Sequence, residues 1–326
     1  MTALRRRTLL RAAAFAPLAR PALAQTAPDP SRPVRVLVGA AAGGATDIIT
    51  RIVTEAMAPD FPRGFAVENR PGAGGNIAAE VVARAAPDGY TLLMGDQAQT
   101  AINPALYRHV GFDPVRDFTP IVLVAEFPFV IVVNPAIPAR TLAEFVAWAK
   151  AQPEPVLYGS PNAGSPHHLG MEALAKRLGF RVSHVPYRGG APAVVDLLSG
   201  QLKVGSIGLP PLVPHLREGR LFALAVSTPG RSPLSPEVPT IAEAAVPGFA
   251  MPVWYGMLGP GGLPADILRH VEASVARAQA RPEVAAKLAE SGLTIRRGNA
   301  AEFGRFLTAE IAFWGEAARA SGVTIE

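Results

Sequence analysis

The stretch VRVLVGAAAGGATDIITR, residues 34–51, decides the fold. Val34–Val38 is a short apolar run that ends at Gly39, and a loop of small residues runs on to Gly44. Ala45, Thr46 and Asp47 then open a helical pattern carried by Ile48, Ile49, Ile52 and Val53. This order predicts a buried strand, a glycine turn and a helix N-terminus. The first amides of a helix have no intrahelical partner and lie at the positive end of its dipole. A loop almost without side chains lets an anion approach them. Ala41, Ala42, Gly43 and Gly44 are therefore candidate contacts to a small carboxylate. Asp47 has two readings. It is a first-turn acid that favours the dipole, which is the preferred reading, or it contacts a ligand ammonium or hydroxyl or orients the loop.

Outward from this stretch the pattern recurs. Phe65–Glu68 reads as a strand, and Asn69–Asn76 is a second glycine loop before a helix on Ile77, Val81, Val82 and Ala85. Gly72, Ala73 and Gly74 join the candidate site. After the turn Pro87-Asp88-Gly89 comes the strand Tyr90–Met94. Two strand–loop–helix units in succession predict a parallel α/β sheet, and ligands bind at the strand ends of such sheets. A second block repeats the theme, with strands expected at Val156–Gly159, Val182–Val185, Val204–Leu209 and Leu221–Ser227. Ser165-Pro166 places an N-cap before a proline at the first helical position. Met251–Gly259 is a last strand, followed by helices whose aromatic stripes read as core.

In the second block the loop–helix junctions offer Ser160, Gly164, Ser165, His168, Tyr187, Arg188 and Gly189 as candidates. His167 reads as a surface residue. His168 reads first as a packed histidine and second as a ligand contact. Arg188 could fork a carboxylate or stand idle as an exposed arginine. Such a site is rich in donors and poor in nucleophiles, which points to binding before catalysis. The six histidines show neither HxxxH nor HExxH spacing, and no cysteine occurs. No GxSxG elbow or phosphate-binding GxxxxGK[ST] loop is present, and the GxGxxG pattern begun at Gly72 fails at Ile77. No metal, no cofactor and no catalytic residue is expected.

The N-terminus carries Arg5-Arg6-Arg7, the mild apolar run Ala12–Ala19 and Ala22-Leu23-Ala24 before Gln25. This order of basic, apolar and small residues predicts an export signal with cleavage after Ala24, and Arg6-Arg7 resembles a twin-arginine signal. The charge follows from it. The chain has 31 basic and 26 acidic residues, and removing the five arginines of residues 1–24 leaves 26 of each. The basic balance thus belongs to the signal and gives no support for nucleic-acid binding. About half of the 326 residues are hydrophobic, enough for a sizeable core without disulfides.

From about Arg32 to Gly322 the chain resembles the substrate-binding proteins of tripartite tricarboxylate transporters, the Bug-type periplasmic receptors. The segments that carry the resemblance are Val67–Asn76 with Ala86–Leu93, Ala101–Tyr107, His184–Gly189, Val238–Glu243 and Trp254-Tyr255-Gly256. The resemblance implies a two-lobed α/β periplasmic-binding-protein fold of venus-flytrap form, with a mixed, mostly parallel sheet in each lobe. It places residues 33–135 with 253–326 in lobe 1 and residues 136–252 in lobe 2. It implies a monomer that takes up small carboxylates (citrate-like acids, dicarboxylates, acidic amino acids or aromatic acids) and delivers them to an integral-membrane permease. A sensor that shows its closed form to a signalling partner is the second reading, and an exported α/β enzyme the third.

Three departures from the family pattern bear on the ligand. Ala41-Ala42 stand where prolines are usual, which leaves the backbone of the first loop less fixed. Lys203 and Ile207 occupy places that usually carry acids in the segment Gln201–Pro210, which disfavours an amino-acid ligand. Asp96 and Gln97 are unusual at their position and are candidates for setting specificity.

Overall fold

The computed structural model describes residues 32–161, 163–187 and 190–321. The expected export signal and the pair Arg188–Gly189 lie outside the described residues. The chain starts with β1 (Val34–Val38), α1 (Ala45–Met57), β2 (Phe65–Asn69), α2 (Asn76–Ala83), β3 (Thr91–Asp96), the short α3 (Asn103–Leu106) and β4 (Phe118–Phe127). It continues through β5 (Phe129–Val133), α4 (Leu142–Lys150), β6 (Val156–Pro161), α5 (Pro166–Leu178), β7 (Val182–Tyr187), α6 (Gly190–Ser199) and β8 (Val204–Gly208). The short α7 (Val213–Arg217), β9 (Phe222–Val226) and the short α8 (Ile241–Ala244) complete the middle of the chain. Last come β10 (Val253–Pro260), α9 (Ala265–Ala280), α10 (Pro282–Glu290), the two-residue β11 (Thr294–Ile295) and α11 (Ala300–Ser321).

Two mixed sheets result. One has the order β11-β4-β10-β3-β1-β2 and the other β7-β6-β8-β5-β9. In the first, β1 runs parallel to β2 and β3, as the repeated strand–loop–helix pattern requires. In the second, β6 runs parallel to β7 and β8. The antiparallel parts are the strands next to the crossings between sheets, β10 on β3 and β4, and β5 on β8 and β9. Val36, Leu37, Val38, Leu92, Leu93 and Met94 are wholly buried. Continuous burial, in place of alternation, marks strands covered on both faces, and each such side chain contributes about 1.5–3 kcal/mol relative to exposure.

The two lobes are joined by strands that change sheet. The outward crossing is at Pro128, between β4 and β5, because proline has no N–H to continue a ladder. Lobe 2 therefore begins at Phe129 and not at residue 136, and β5 belongs to the second sheet. The return crossing is at Met251-Pro252, and here a side chain fixes the backbone. Gln97 Nε2 donates to the Pro252 carbonyl at 2.9 Å, and the Trp254 N–H donates to Gln97 Oε1 at 2.7 Å. Gln97 is fully buried. A third connection is α11. Glu310 on this helix accepts from the indole of Trp254 at 2.6 Å and from that of Trp314 at 2.7 Å. Further along, Phe313, Glu316 and Ala317 face Glu172, Ala173 and Lys176 of α5 across a shallow groove. The main apolar core runs through the crossings without a break, from Val36 and Met94 to Phe129, Tyr158 and Leu169. Among the described residues no helix is long and apolar enough to cross a membrane.

The clamp on the return crossing can be tested. Gln97→Met keeps the volume but strands the Pro252 carbonyl and the Trp254 N–H inside the protein, at roughly 1–3 kcal/mol per group. Chemical denaturation of this variant is expected to show a loss of about 2–4 kcal/mol, against a loss near zero if water takes over both bonds.

Candidate functional site

In lobe 1 the first glycine loop is held from below. The Asp47 carboxylate accepts the Gly43 N–H at 2.9 Å, the Arg51 Nε at 3.0 Å and the Asn69 amide at 3.1 Å. Asn69 also donates to the Ala40 carbonyl at 3.1 Å, so β2 and α1 grip the loop together. Gly43 takes a left-handed φ of 80°, which its lack of a Cβ permits. Asp47 itself is buried, and the Arg51 guanidinium beside it holds its carboxyl below the usual range. Both of its oxygens are directed at the protein, so the structure gives it the loop-orienting role. The fixing that Ala41 and Ala42 do not provide comes from this carboxylate. Ala41, Ala42 and Gly43 are exposed, with Gly44 half-buried.

The second loop is more strained. Gly72, Ala73, Gly74 and Gly75 all have positive φ, and Ala73 at 47° is the one non-glycine of this kind among the described residues. Such backbone persists where its surroundings over-determine it. Here the surroundings are amide side chains. Asn103 donates to the Gly74 carbonyl at 3.0 Å and to Asn76 Oδ1 at 2.7 Å. Gln99 lies between the two loops, so close that a Cβ on either Gly39 or Gly75 would meet its amide. Asn76 Nδ2 and Gln99 Oε1 are buried and have no hydrogen-bond partner. Both atoms lie beneath the two glycine loops, shut off from solvent.

The end of β3 completes this wall. Asp96 accepts the Gln99 N–H at 3.2 Å, and its own carbonyl accepts from Thr100 Oγ1 at 2.8 Å. The backbone here winds as a π turn, Ala98–Ile102. Across the ladder Asp96 faces the buried Tyr255. The protein around Asp96 pushes its carboxyl up to about 6, against the Gln99 and Ala98 amides that pull it down. Gln97, expected as a specificity residue, points the other way and has both amide ends on the return crossing.

In lobe 2, Ser165 caps α5 by accepting the His168 N–H at 3.2 Å, as its place before Pro166 predicts. The Gly164 N–H donates to His168 Nδ1 at 2.9 Å, so this imidazole accepts and is neutral. His168 stacks on His184 with centroids 3.8 Å apart and planes 11° apart. His184 Nε2 lies 2.8 Å from Ser160 Oγ. Tyr158 ties the group to α5 through the His168 carbonyl at 3.0 Å and Glu172 at 3.1 Å. Burial pushes both imidazoles down to about 4, and for His168 the neighbouring His184 adds to it. Ser160 is fully buried. A serine beside an imidazole that weak is a poor nucleophile near neutral pH. The cluster works as a prop for the Gly164 loop.

Three further residues sit where sequence did not put them, or only partly. His167 is buried, against the expectation of a surface residue. The first turn of α5 turns it inward between Phe127 and Phe129 of the crossing, with ring centroids 6.3 Å and 5.6 Å away. Its Nδ1 has no hydrogen-bond partner, and burial pushes its ring down to about 4. The Tyr187 hydroxyl donates to Asp196 at 2.7 Å and its ring crosses the sheet beside Gly159. Its backbone pairs with Pro161 next to Ser160, and its side chain turns away to line a recess with Val156, Leu157 and Lys203. Burial and Asp196 raise that hydroxyl to about 12. Ile207 is buried in the apolar cluster of Val130, Leu197 and Leu209, so it presents no surface to a ligand. Arg188 and Gly189 lie outside the described residues. Among the described residues no three His, Cys, Asp or Glu side chains are placed to hold a metal ion.

The comparisons with known proteins agree with this architecture. Bordetella pertussis BugT is 32% identical over 314 residues, which cover 96% of each chain. A solved R. palustris protein with adipate is 34% identical, covers 90% of this chain and 99% of its own, and superposes with a TM-score of 0.76. MatC from Rhodopseudomonas palustris with bound malate is 32% identical, covers 89% and 99%, and superposes at 0.73. The sequence model of the tripartite tricarboxylate transporter family receptor matches residues 49–323. With lobes, crossings and glycine loops in place, the chain belongs to this family of tripartite tricarboxylate transporter receptors.

Proposed function

We propose that the protein is a periplasmic solute receptor that closes its lobes on a small organic carboxylate and hands it to the membrane permease of a tripartite tricarboxylate-type transporter. The observation that carries this reading is the pair of glycine loops in lobe 1. They are fixed from behind by Asp47, Asn69, Gln99 and Asn103, and Ala41–Gly43 and Gly72–Gly74 are exposed. Lobe 2 supplies the opposite wall, with the capped N-terminus of α5 and the loop at Gly164. Solved relatives with adipate and with malate support the same ligand class.

Closing needs a ligand that contacts both lobes, because an equilibrium moves only by the difference in affinity between its two states. The neutral imidazoles of His167 and His168 add hydrogen-bonding groups without adding charge. Export to the periplasm rests on the predicted signal and on the family's location.

A thermal-shift and calorimetry screen of organic acids tests the reading. Carboxylates of four to six carbons (a span set by the malate and adipate relatives) are expected to raise the melting temperature. Stabilisation by neutral or cationic solutes alone would sink it.

Asp47→Asn keeps the shape but weakens the acceptor for Gly43 and Arg51. Ligand affinity is expected to fall about tenfold, as for loss of one charge-assisted hydrogen bond, with a small change in melting temperature. An unchanged affinity would remove the loop-orienting role.

Acid should weaken the fold. His167, His168 and His184 have folded values near 4, below the unfolded value of about 6.5. Between these limits the unfolded chain binds more protons, so stability falls as pH drops through that window. Protonating His168 also removes the acceptor for the Gly164 N–H. Denaturation midpoints measured across the window are expected to decline on acidification, and a flat profile would contradict the neutral cluster.

A further inference from the structure

The lobe 1 wall holds one carboxylate whose role is not explained by the fold. Asp47 is engaged by Gly43, Arg51 and Asn69. Asp96 has Oδ1 on the Gln99 N–H and keeps part of its surface open, while Gly95, Gln97 and Tyr255 around it are buried. It ends β3, level with the Gly39 turn and beside Gln99, the side chain that separates the two glycine loops. On its other side is Tyr255, its partner across the ladder, stacked on Phe127 of the crossing at 5.9 Å. Asp96 thus stands at the meeting point of the first loop, the second loop and the hinge. An acid in such a place works against a second anion and for a hydrogen-bond donor.

We infer that Asp96 sets the specificity of the site, favouring carboxylic acids that carry a hydroxyl or ammonium donor over the unsubstituted acid of the same length. The inference rests on the receptor reading above and adds the chemistry of the ligand's substituent. The case for a non-amino ligand was that Lys203 and Ile207 replace acids in lobe 2, and Asp96 supplies an acid from lobe 1. The titratable group packed against it is Tyr255, which burial and Asp96 keep protonated. The environment raises the Asp96 carboxyl to about 6, so it takes up a proton more readily than an ordinary carboxylate when an anionic ligand without a donor enters.

Calorimetry on the mature protein with two matched series decides the matter. The first is succinate, malate and aspartate. The second is adipate, 2-hydroxyadipate and 2-aminoadipate. Wild type is expected to bind a hydroxy or amino acid about tenfold or more tightly than its unsubstituted parent, the gain of one hydrogen bond to a charged group. The hydroxy and amino arms tell which donor is used. Asp96→Asn is expected to bring the ratio to within about threefold, chiefly by tightening the unsubstituted acid. The same parent acid should bind wild type more tightly as pH falls through about 6, and the variant should lose that trend. Asp96→Ser serves as a second variant should the first melt early. A ratio that survives in both variants, or a wild type that prefers the parent acid, overturns the assignment alone. A wild type that binds none of the six acids overturns the receptor reading together with it.

Discussion

The buried amide of Gln97 holds the backbone on which the two lobes meet. A crossing strand must leave one ladder and join another, and its peptide groups need partners on the way. On the outward crossing Pro128 removes the donor. On the return crossing Gln97 accepts from Trp254 and donates to Pro252. The residue beside it, Asp96, opens into the wall of the site. The end of β3 and the return crossing are therefore joined by adjacent residues, Asp96 and Gln97.

The proposed site would meet an anion without presenting a cation among its described residues. Its groups are backbone amides, amide side chains and imidazoles too weak to be charged near neutral pH. Amides fixed in place hold a carboxylate by geometry, and their effect is screened by salt less than that of an exposed arginine. The cost is that the loops must be rigid before the ligand arrives. Asp47, Asn69, Gln99 and Asn103 provide that rigidity, each by binding backbone or by standing where a side chain would otherwise fit.

Much of this was legible in the sequence, and the reasons for the exceptions are physical. The glycine loops and the Ser165 cap were readable because positive φ and helix capping demand particular residue types at fixed offsets. The place of β5 was not, because an apolar run fits either sheet and only the proline before it hinted at the change. Gln97 and Asp96 are adjacent and polar, so the sequence could mark the pair but not which one faced the ligand. The strand ends at Asp96 and the backbone turns helical at Gln97, which carries its side chain to the return crossing. Ile207 was taken for a cleft residue by position alone, and burial under α6 overrode it. Gln99 and Asn103 left only a weak trace, the run of amides after β3, and Asn76 only its place at the close of the second glycine loop. His184 could not be paired with His168, since stacking joins residues distant in sequence.

The carboxylate of Glu310, shared by two indoles, gives the molecule an internal optical gauge. Two of its three tryptophans sit on the hinge, one on the returning strand and one on the helix that reaches across to lobe 2. An indole N–H bonded to an acid emits differently from one that has lost it. Movement of α11 against β10 would therefore register in intrinsic fluorescence with no label attached, from the part of the molecule that bends and not from the part that binds.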